Sequence, residues 1–108
     1  QLAQQGDPAA QVPACASCHG PALTGRLPAT PGLLGLPRDY LIGQLGAWQT
    51  GLRRAASPDC MATLARRMSA ADVSAVASWL AAQPVPAAAH PQAASVSPAP
   101  LACGSVPP

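Results

Sequence analysis

Apolar residues recur with helical spacing in two stretches of the chain, and recognisable helix ends flank both of them. The first stretch has an apolar residue about every 3.6 positions: Tyr40, Leu41, Leu45, Trp48 and Leu52. This spacing predicts a helix that opens at residues 37–39 and stops near Gly51. A second helix is predicted to follow Ser69, a favourable N-cap with Asp72 three residues later, and to run to about Ala82.

The N-terminal part of the chain gives weaker helical signals. Residues 1–6 have the pattern of a loose polar start, whereas Asp7 and Pro8 supply an N-cap and a proline at the first helical position. We therefore expect a short helix over about residues 8–18, which Pro13 weakens in its middle.

Pro and Gly dominate much of what remains, and they mark irregular backbone. We expect an irregular loop over residues 19–36 and a short helical turn over 62–67. Seven of the fourteen prolines fall in residues 84–108, an Ala/Pro-rich stretch that predicts an extended tail rather than a second domain. The pattern predicts an all-α domain over residues 1–83, with three main helices and long loops, and a tail that packs back on it.

Composition limits the size of the core. The chain has 108 residues, the length of one domain, and although 49% of them are hydrophobic, many of those are Ala. Phe is absent, and the aromatic residues are Tyr40, Trp48 and Trp79. A chain this small buries only ~60% of its unfolded surface, so a core of Ala, Leu and Val is marginal. We therefore expect a metal, disulfides or a cofactor to supply the missing stabilisation.

Several functional classes are disfavoured by what the sequence lacks. No apolar run approaches the ~20 residues that span a bilayer, so no transmembrane segment is expected. The six Arg are scattered or paired, with no basic stripe and few aromatics, which argues against nucleic-acid binding. No Gly-rich loop has the spacing of a nucleotide-binding motif. The first residues, QLAQQGD, do not have a signal-peptide pattern, so we expect either a mature N-terminus here or no signal at all.

One short motif carries clear chemistry. Residues 15–19 form Cys-Ala-Ser-Cys-His, the C-x-x-C-H run to which a c-type haem is attached. Two thiols three residues apart can form thioethers with the two vinyl groups of one porphyrin, and the adjacent imidazole then lies beneath the iron. The macrocycle would also provide the large apolar body that this core lacks.

The same two cysteines fit two other kinds of site less well. Half of a zinc site is one, but the chain has no second C-x-x-C and no pair of closely spaced His to complete it. A dithiol redox centre is the other, but the βαβ pattern of thioredoxin-like proteins is missing. The motif therefore favours haem.

The residues around the motif resemble those of a small bacterial class I c-type cytochrome of the periplasm, over roughly residues 5–83. In chain order the matching segments are Cys15-Ala16-Ser17-Cys18-His19-Gly20, Pro31-Gly32-Leu33-Leu34-Gly35, Tyr40-Leu41, Gln44-Leu45, Trp48, Gly51-Leu52-Arg53, Met61-Ala62, Met68-Ser69-Ala70-Ala71-Asp72 and Trp79-Leu80-Ala81. Pro13, Met68 and Trp79 depart from the family pattern, and the Cys-bearing tail lies outside it. The resemblance implies the class I cytochrome c fold, in which helices and long loops wrap around one covalently bound haem c.

The resemblance also implies how the haem is held. Cys15 and Cys18 would form the thioethers, and His19 and Met61 would be the axial ligands of the iron. Residue chemistry alone leaves other sixth ligands open: Met68, Cys60 and His90. A Met/His pair raises the reduction potential of the iron, because a soft thioether favours ferrous iron, and this suits an electron carrier.

Four further residues are expected around the haem. By resemblance, the Pro31 carbonyl accepts a hydrogen bond from His19 and so fixes the imidazole. Tyr40 and Trp48, which share a helix face, would wall the haem edge, although ordinary core packing explains them equally well. Arg53 stands where the family pairs an Arg with a haem propionate, and a solvated surface Arg is the alternative.

These features together favour a non-enzymatic, monomeric electron carrier in which one haem c cycles between ferric and ferrous iron. The expected redox partners are a dehydrogenase, a terminal oxidase or another cytochrome. The alternatives are a cytochrome subunit or domain of a periplasmic dehydrogenase complex, a gas sensor or peroxidase in which a small ligand displaces Met61, and a zinc-stabilised interaction module. Because bacteria attach haem c outside the cytoplasmic membrane, we expect a periplasmic location after export and removal of a signal peptide.

Two cysteines, Cys60 and Cys103, remain once the haem has taken its two. An even number of spare cysteines in an exported protein predicts a disulfide, and two free thiols or an intermolecular bond are the alternatives. The predicted bond would hold the tail over the loop that carries Met61, and it would remove a thiolate able to compete for iron.

Overall fold

The computed structural model describes residues 2–27, 29–93 and 100–104. Within them, α-helices follow one another along the chain as α1 (Leu2–Gln5), α2 (Ala16–His19), α3 (Arg38–Thr50), α4 (Cys60–Arg66) and α5 (Ala70–Ala82). The β-type pairing among these described residues is limited to isolated backbone bridges, so the predicted all-α class is confirmed.

The two long helices begin and end where the sequence signals them, and α3 and α5 have 13 residues each. Gly51 takes a left-handed conformation (φ +81°) just after α3 and donates its N–H to the Trp48 carbonyl, which closes the helix. At the start of α5 the Ser69 hydroxyl accepts from the Asp72 N–H, and the Asp72 carboxylate accepts from the Ser69 N–H, so the predicted capping box is confirmed. No helix in the described ranges is both long and apolar enough to cross a membrane.

The first residues of the chain are more ordered than their polarity indicates. The predicted loose start over 1–6 is wrong, because α1 forms there and packs against α2 and α5. Ala3 is buried in the core by this packing. The polarity of residues 1–6 does not reveal this packing, because only Leu2 and Ala3 of α1 contact the core and the residues after them are glutamines.

The predicted helix over 8–18 is also wrong, so the described chain has two long helices and not three. A single 3-10 turn covers Pro8–Ala10, and the Asp7 side chain caps it as expected. Two backbone hydrogen bonds between Asp7 and Val12 then reverse the chain. Because Pro13 follows at once and cannot donate to a helix, regular helical structure resumes only at α2.

The core lies where α1, α3, α4 and α5 meet. Its buried side chains are small or aliphatic: Ala3, Val12, Leu23, Leu41, Leu64, Met68, Val73, Val76, Ala77 and Leu80. α3 packs across both α4 and α5. Full burial of a Val or Leu side chain stabilises a fold by about 1.5–3 kcal/mol. The positions that Ala3 and Ala77 fill in this core therefore contribute less than a Val or Leu would.

Polar side chains fix α3 against its two neighbours. The Arg38 guanidinium donates to the hydroxyls of Ser74 and Ser78 on α5, at 2.9 and 2.8 Å. The Gln49 side chain donates to the Ala65 carbonyl on α4 at 3.0 Å. These hydrogen bonds hold the two helices that carry candidate site residues, α3 and α4, at a fixed distance.

The tail returns to the domain after α5. Residues 84–91 are exposed, and Gln92 then pairs with Arg26 in a parallel bridge. Farther along, Leu101 is half-buried against the core. The parts of the predicted tail that lie outside the described residues are 94–99 and 105–108.

Candidate haem site

The C-x-x-C-H motif forms one helical turn. Cys15 precedes α2, and its carbonyl accepts from the N–H of Cys18 at 3.2 Å and from the N–H of His19 at 2.9 Å. Both thiols are free and half-buried. Residues three apart on such a turn are neighbours on its surface, so the two sulfurs suit a two-point attachment to one flat ligand.

His19 is held in the tautomer of a metal ligand. Its ring is buried, and Nδ1 lies 2.7 Å from the Pro31 carbonyl oxygen. Because a carbonyl can only accept, Nδ1 carries the proton and Nε2 keeps its lone pair. Burial lowers the pKa of His19, an effect that the Pro31 hydrogen bond opposes in part, so the ring stays neutral and able to bind a metal.

The loop after His19 sets the position of the Pro31 carbonyl. The Gly25 N–H donates to the His19 carbonyl at 2.9 Å, and Arg26 and Thr30 exchange two backbone hydrogen bonds of 2.9 and 3.0 Å. Gly25 has φ +92°, and a Cβ there would collide with the backbone of Thr30 and Pro31. This segment, predicted only as irregular backbone, is therefore a compact support for the histidine.

The two motif thiols lie in surroundings that keep them protonated. Burial raises the pKa of Cys15 to about 11, and burial also raises the pKa of Cys18 against the opposing charge of Arg26. Thiolates are the form that binds zinc and attacks disulfides. Among the residues that the structure describes, no three His, Cys, Asp or Glu side chains converge as metal ligands. The described residues therefore supply no ligand set that would complete a zinc site, and burial disfavours the thiolate that a dithiol redox centre uses.

Met61 and Met68 occupy different environments. Met61 lies in the first turn of α4 and is half-buried beside the core, whereas Met68 follows α4 and is only 7% exposed within the core. The predicted loop setting of Met61 is wrong, because α4 begins at Cys60, where Asp59 caps it. Of the two methionines, Met61 is therefore the one with part of its side-chain surface outside the core.

The other two alternatives for a sixth ligand lie in different settings. Cys60 is bonded to Cys103, with their Cα atoms 5.0 Å apart and a sequence separation of 43. His90 is exposed in the tail, with its Nδ1 3.3 Å from the Pro91 carbonyl oxygen. The sulfur of Cys60, the residue before Met61, is therefore already in a disulfide bond.

The side chains of Trp48 and Arg53 contact each other near the C-terminal end of α3. The Trp48 Nε1 is buried and has no hydrogen-bond partner among the described residues. The Arg53 guanidinium lies 4.1 Å from the centroid of the Trp48 ring and donates to the Gln44 side chain. A buried N–H without an acceptor is costly, so an anionic acceptor such as a haem propionate fits this place. Tyr40 lies at the other end of α3 and is 48% exposed.

Several apolar side chains near the site residues in sequence are only half-buried. They pack against the core without being enclosed by it: Leu33, Leu34, Leu36, Ile42, Leu45 and Met61. A haem needs apolar walls, axial ligands, two thiols for its vinyl groups and donors for its propionates. The imidazole, the thioether, the motif thiols and the unpaired indole N–H supply these groups, so the residues present fit a haem.

Sequence reasoning missed two supports of the site. The Asp59 carboxylate accepts from the N–H of Ala55 at 2.8 Å and of Ala62 at 3.1 Å, so it both caps α4 and closes the preceding loop. An Asp just before an apolar run is an N-cap signal that could have revealed this role. Gln92, which pairs with Arg26, has no comparable signal, because an isolated bridge leaves no periodic pattern.

We expect Asp59→Ala to destabilise the protein by about 1–2 kcal/mol, because it removes a helix cap and leaves two backbone N–H groups without their acceptor. Denaturant unfolding followed by circular dichroism measures the change. Asp39→Ala is the matched control, since Asp39 is 94% exposed and forms an exposed ion pair with Arg38. An equal loss of stability in the two variants would contradict the role of Asp59.

Comparison with known sequences identifies relatives longer than this chain. No family model of protein sequences matches it. It is 42% identical over 85 residues to a thiosulfate dehydrogenase electron acceptor from Thiomonas intermedia (strain K12), covering 79% of this chain and 39% of that protein. A thiosulfate dehydrogenase electron acceptor from Stutzerimonas stutzeri (strain A1501) is 41% identical over 81 residues, covering 75% and 38%. The chain therefore spans less than half the length of these relatives.

Two solved structures are similar in fold as well as in sequence. Thiosulfate dehydrogenase (TsdBA) from Marichromatium purpuratum matches with a TM-score of 0.72 and 39% identity, over 81% of this chain and 19% of that one. Cytochrome c4 from Acidithiobacillus ferrooxidans matches with a TM-score of 0.67 and 32% identity, over 76% and 46%. Each likeness covers most of this chain and a smaller share of the relative.

Proposed function

Because the chain is a class I c-type cytochrome, we propose that it carries one haem c and transfers single electrons. Cys15 and Cys18 would hold the haem through thioether bonds, and His19 and Met61 would be the ligands of its iron. The haem supplies reversible exchange between ferric and ferrous iron. With His19 and Met61 as its ligands, the iron would have no position left for a substrate, and the domain would act as a carrier rather than an enzyme.

One observation carries this proposal, the hydrogen bond from His19 Nδ1 to the Pro31 carbonyl. A ligating imidazole in proteins generally donates its other N–H to a carbonyl or carboxylate, which fixes the ring and raises its basicity. Here the same turn of helix that carries this imidazole also carries the two free thiols. An ordinary buried histidine needs no such neighbours, so the combination supports haem ligation.

Other side chains of this protein have roles beside the iron. The Met61 thioether is a soft donor that favours ferrous iron and raises the potential. The Trp48 N–H and the Arg53 guanidinium are donors for an anionic propionate, and hydrogen bonds to such a charged acceptor are about twice as strong as neutral ones. Tyr40, exposed at the start of α3, is proposed to cover the outer edge of the haem.

The electron donor that we propose is a thiosulfate-oxidising dehydrogenase. Both curated relatives are named as electron acceptors of thiosulfate dehydrogenase, and one structural neighbour is a thiosulfate dehydrogenase. A cytochrome subunit or domain of such a complex fits these similarities as well as a free carrier does. In both forms this chain accepts electrons from the dehydrogenase and passes them to a further redox protein.

The proposed location is the bacterial periplasm. Bacteria attach haem c on the outer side of the cytoplasmic membrane, and the protein must be exported to receive it. The bond between Cys60 and Cys103 belongs to the same setting, because disulfides form and persist in oxidising compartments.

Rapid-mixing spectroscopy tests the proposed donor. Thiosulfate together with a thiosulfate dehydrogenase should reduce the purified holoprotein and produce the sharp visible bands of a ferrous c-type haem. Thiosulfate alone and the dehydrogenase alone are the controls. Failure of the complete mixture to reduce a holoprotein that dithionite does reduce would contradict the donor, and loss of haem during acid-acetone extraction would contradict the cytochrome function itself.

Carbon monoxide distinguishes the carrier from a gas sensor or peroxidase. At neutral pH it should leave the ferrous spectrum unchanged, because Met61 holds the sixth position of the iron. Rapid formation of a carbonyl complex by the unmodified protein would favour the open-site alternative. Absorption spectra of the reduced protein, recorded before and after addition of the gas, decide between them.

A further inference from the structure

Two of the places at which the described part of the tail contacts the domain adjoin the supports of the proposed iron ligands. We propose that the tail positions both ligands, His19 through Gln92 and Met61 through Cys103 and Gly104. This role rests on the proposed haem function, since it concerns the two side chains that bind the iron. Gln92 and residues 103–104 are called here the first and second anchors of the tail.

The first anchor joins the tail to the loop behind the histidine. The Gln92 N–H donates to the Gly25 carbonyl at 2.9 Å, and the Leu27 N–H donates to the Gln92 carbonyl at 2.8 Å. The Gln92 side chain packs so closely on Gly20 that a Cβ at residue 20 would collide with its amide oxygen. Because Gly20 directly follows His19, the tail lies against the end of the C-x-x-C-H turn.

Gly25 forms backbone hydrogen bonds with both the first anchor and His19. Its carbonyl accepts from Gln92 in the tail, and its own N–H donates to the His19 carbonyl at 2.9 Å. The same loop continues to Pro31, whose carbonyl accepts from His19 Nδ1 at 2.7 Å. The backbone and the ring of the histidine are thus both held by a loop that the tail braces from outside.

The second anchor joins the tail to the segment before Met61. Cys103 is bonded to Cys60, the residue immediately before the ligand. The Gly104 N–H donates to the Pro58 carbonyl at 2.9 Å. A Cβ on Gly104 would collide with the carbonyl oxygens of residues 56 and 57, so only glycine allows this approach. The tail therefore fixes the backbone segment from Pro58 to Cys60, which leads into α4.

The methionine needs such support more than the histidine does. α4 has seven residues, and an isolated helix of that length is not stable in water. Met61 lies in its first turn, where helices fray, and a thioether is a weak ligand compared with an imidazole. Fixing the residue before it by a covalent bond limits the positions that the sulfur can take relative to the iron.

Four variants of the holoprotein test the two anchors separately. Cys60→Ser with Cys103→Ser removes the bond of the second anchor, and Gly104→Val disturbs that anchor with the cysteines intact. Gln92→Pro removes the N–H of the first anchor, whereas Gln92→Ala keeps both backbone hydrogen bonds and is its matched control. The measurements are the weak sulfur-to-iron charge-transfer band and circular dichroism, each followed against temperature, and the proton NMR resonances of the haem methyl groups.

Removal of the disulfide lowers the unfolding midpoint by itself, and for both second-anchor variants we expect the temperature at which the band is lost to fall further than that midpoint does. Ligand loss would then precede unfolding, which a merely structural bond would not cause. Gln92→Pro should change the spread of the haem methyl resonances, which follows the orientation of the iron ligands, and Gln92→Ala, which removes only the side-chain contact with Gly20, should change it less.

Two results would overturn this role of the tail. One is a band and an unfolding midpoint that shift together, or not at all, in both second-anchor variants. The other is an unchanged methyl spread in Gln92→Pro. A parent protein that lacks the sulfur-to-iron band altogether would instead show that the proposed ligation by Met61 has failed, and the positioning of Met61 by the tail with it.

Discussion

Replacing both Cys15 and Cys18 by alanine is expected to abolish haem attachment and to leave the chain without a stable fold at room temperature. The thiols are the two points at which the protein can bond a porphyrin, and both are free for this purpose. The core without haem consists of Ala, Val, Leu and Met68, and the apolar residues packed beside it, such as Leu33, Leu34 and Leu45, are only half-buried. A domain of this size has little stability to lose, because its core alone is marginal.

Acid-acetone extraction and far-ultraviolet circular dichroism measure this effect. The extracted variant should carry no haem absorption, and its helical signal should fall to that of an unfolded chain. Cys60→Ser with Cys103→Ser is the matched control, since it removes the same number of sulfurs and should keep the haem through extraction. Retention of covalent haem by the alanine variant would contradict the proposed attachment.

Met61→Leu is expected to remove the sulfur-to-iron band and to lower the midpoint potential by on the order of 0.2 V, part of the ~0.8 V over which axial ligands set haem potentials. The reason is that the thioether stabilises ferrous iron and leucine has no donor to replace it. Binding of carbon monoxide to the ferrous protein should appear at the same time. Spectroelectrochemical titration gives the potential, and absorption spectra give the ligand state.

Met68→Leu is the matched substitution for that experiment. Met68 is buried in the core, so exchange for leucine should keep the band and the potential and cost less than about 1.5 kcal/mol of stability. The reverse pattern, with the band lost in Met68→Leu and kept in Met61→Leu, would assign the iron to the other sulfur. If both variants kept the band, neither methionine would be the ligand of the iron.

The long helices were predictable because their ends carry local chemistry. Gly51 needs a left-handed conformation that glycine takes at no steric cost, and the Ser69–Asp72 box satisfies N–H groups within four residues of sequence. The C-x-x-C-H motif was readable for a similar reason, since one turn of helix contains two sulfurs and an imidazole. In each case the residues that interact are close together in sequence.

The remaining structure depends on contacts that sequence spacing does not reveal. α1 is held because Ala3 is buried and Leu2 packs beside it, and two adjacent apolar residues have no helical period. The reversal between Asp7 and Val12 replaces a predicted helix by backbone pairing. Met61 is in a helix rather than a loop because the Asp59 carboxylate caps α4. The bridge from Gln92 joins segments more than sixty positions apart.

The covalent bond between Cys60 and Cys103 changes what a protease can do to this protein. Residues 84–91 are exposed along their whole length, which leaves this segment open to cleavage. A cut there would separate the tail from α5 in the main chain, but the fragment that contains Cys103 would stay joined to the domain through the sulfurs. The nicked protein would migrate as one species until a reducing agent released the fragment, so a single cleavage would not strip residues 103–104 from the backbone beside α4.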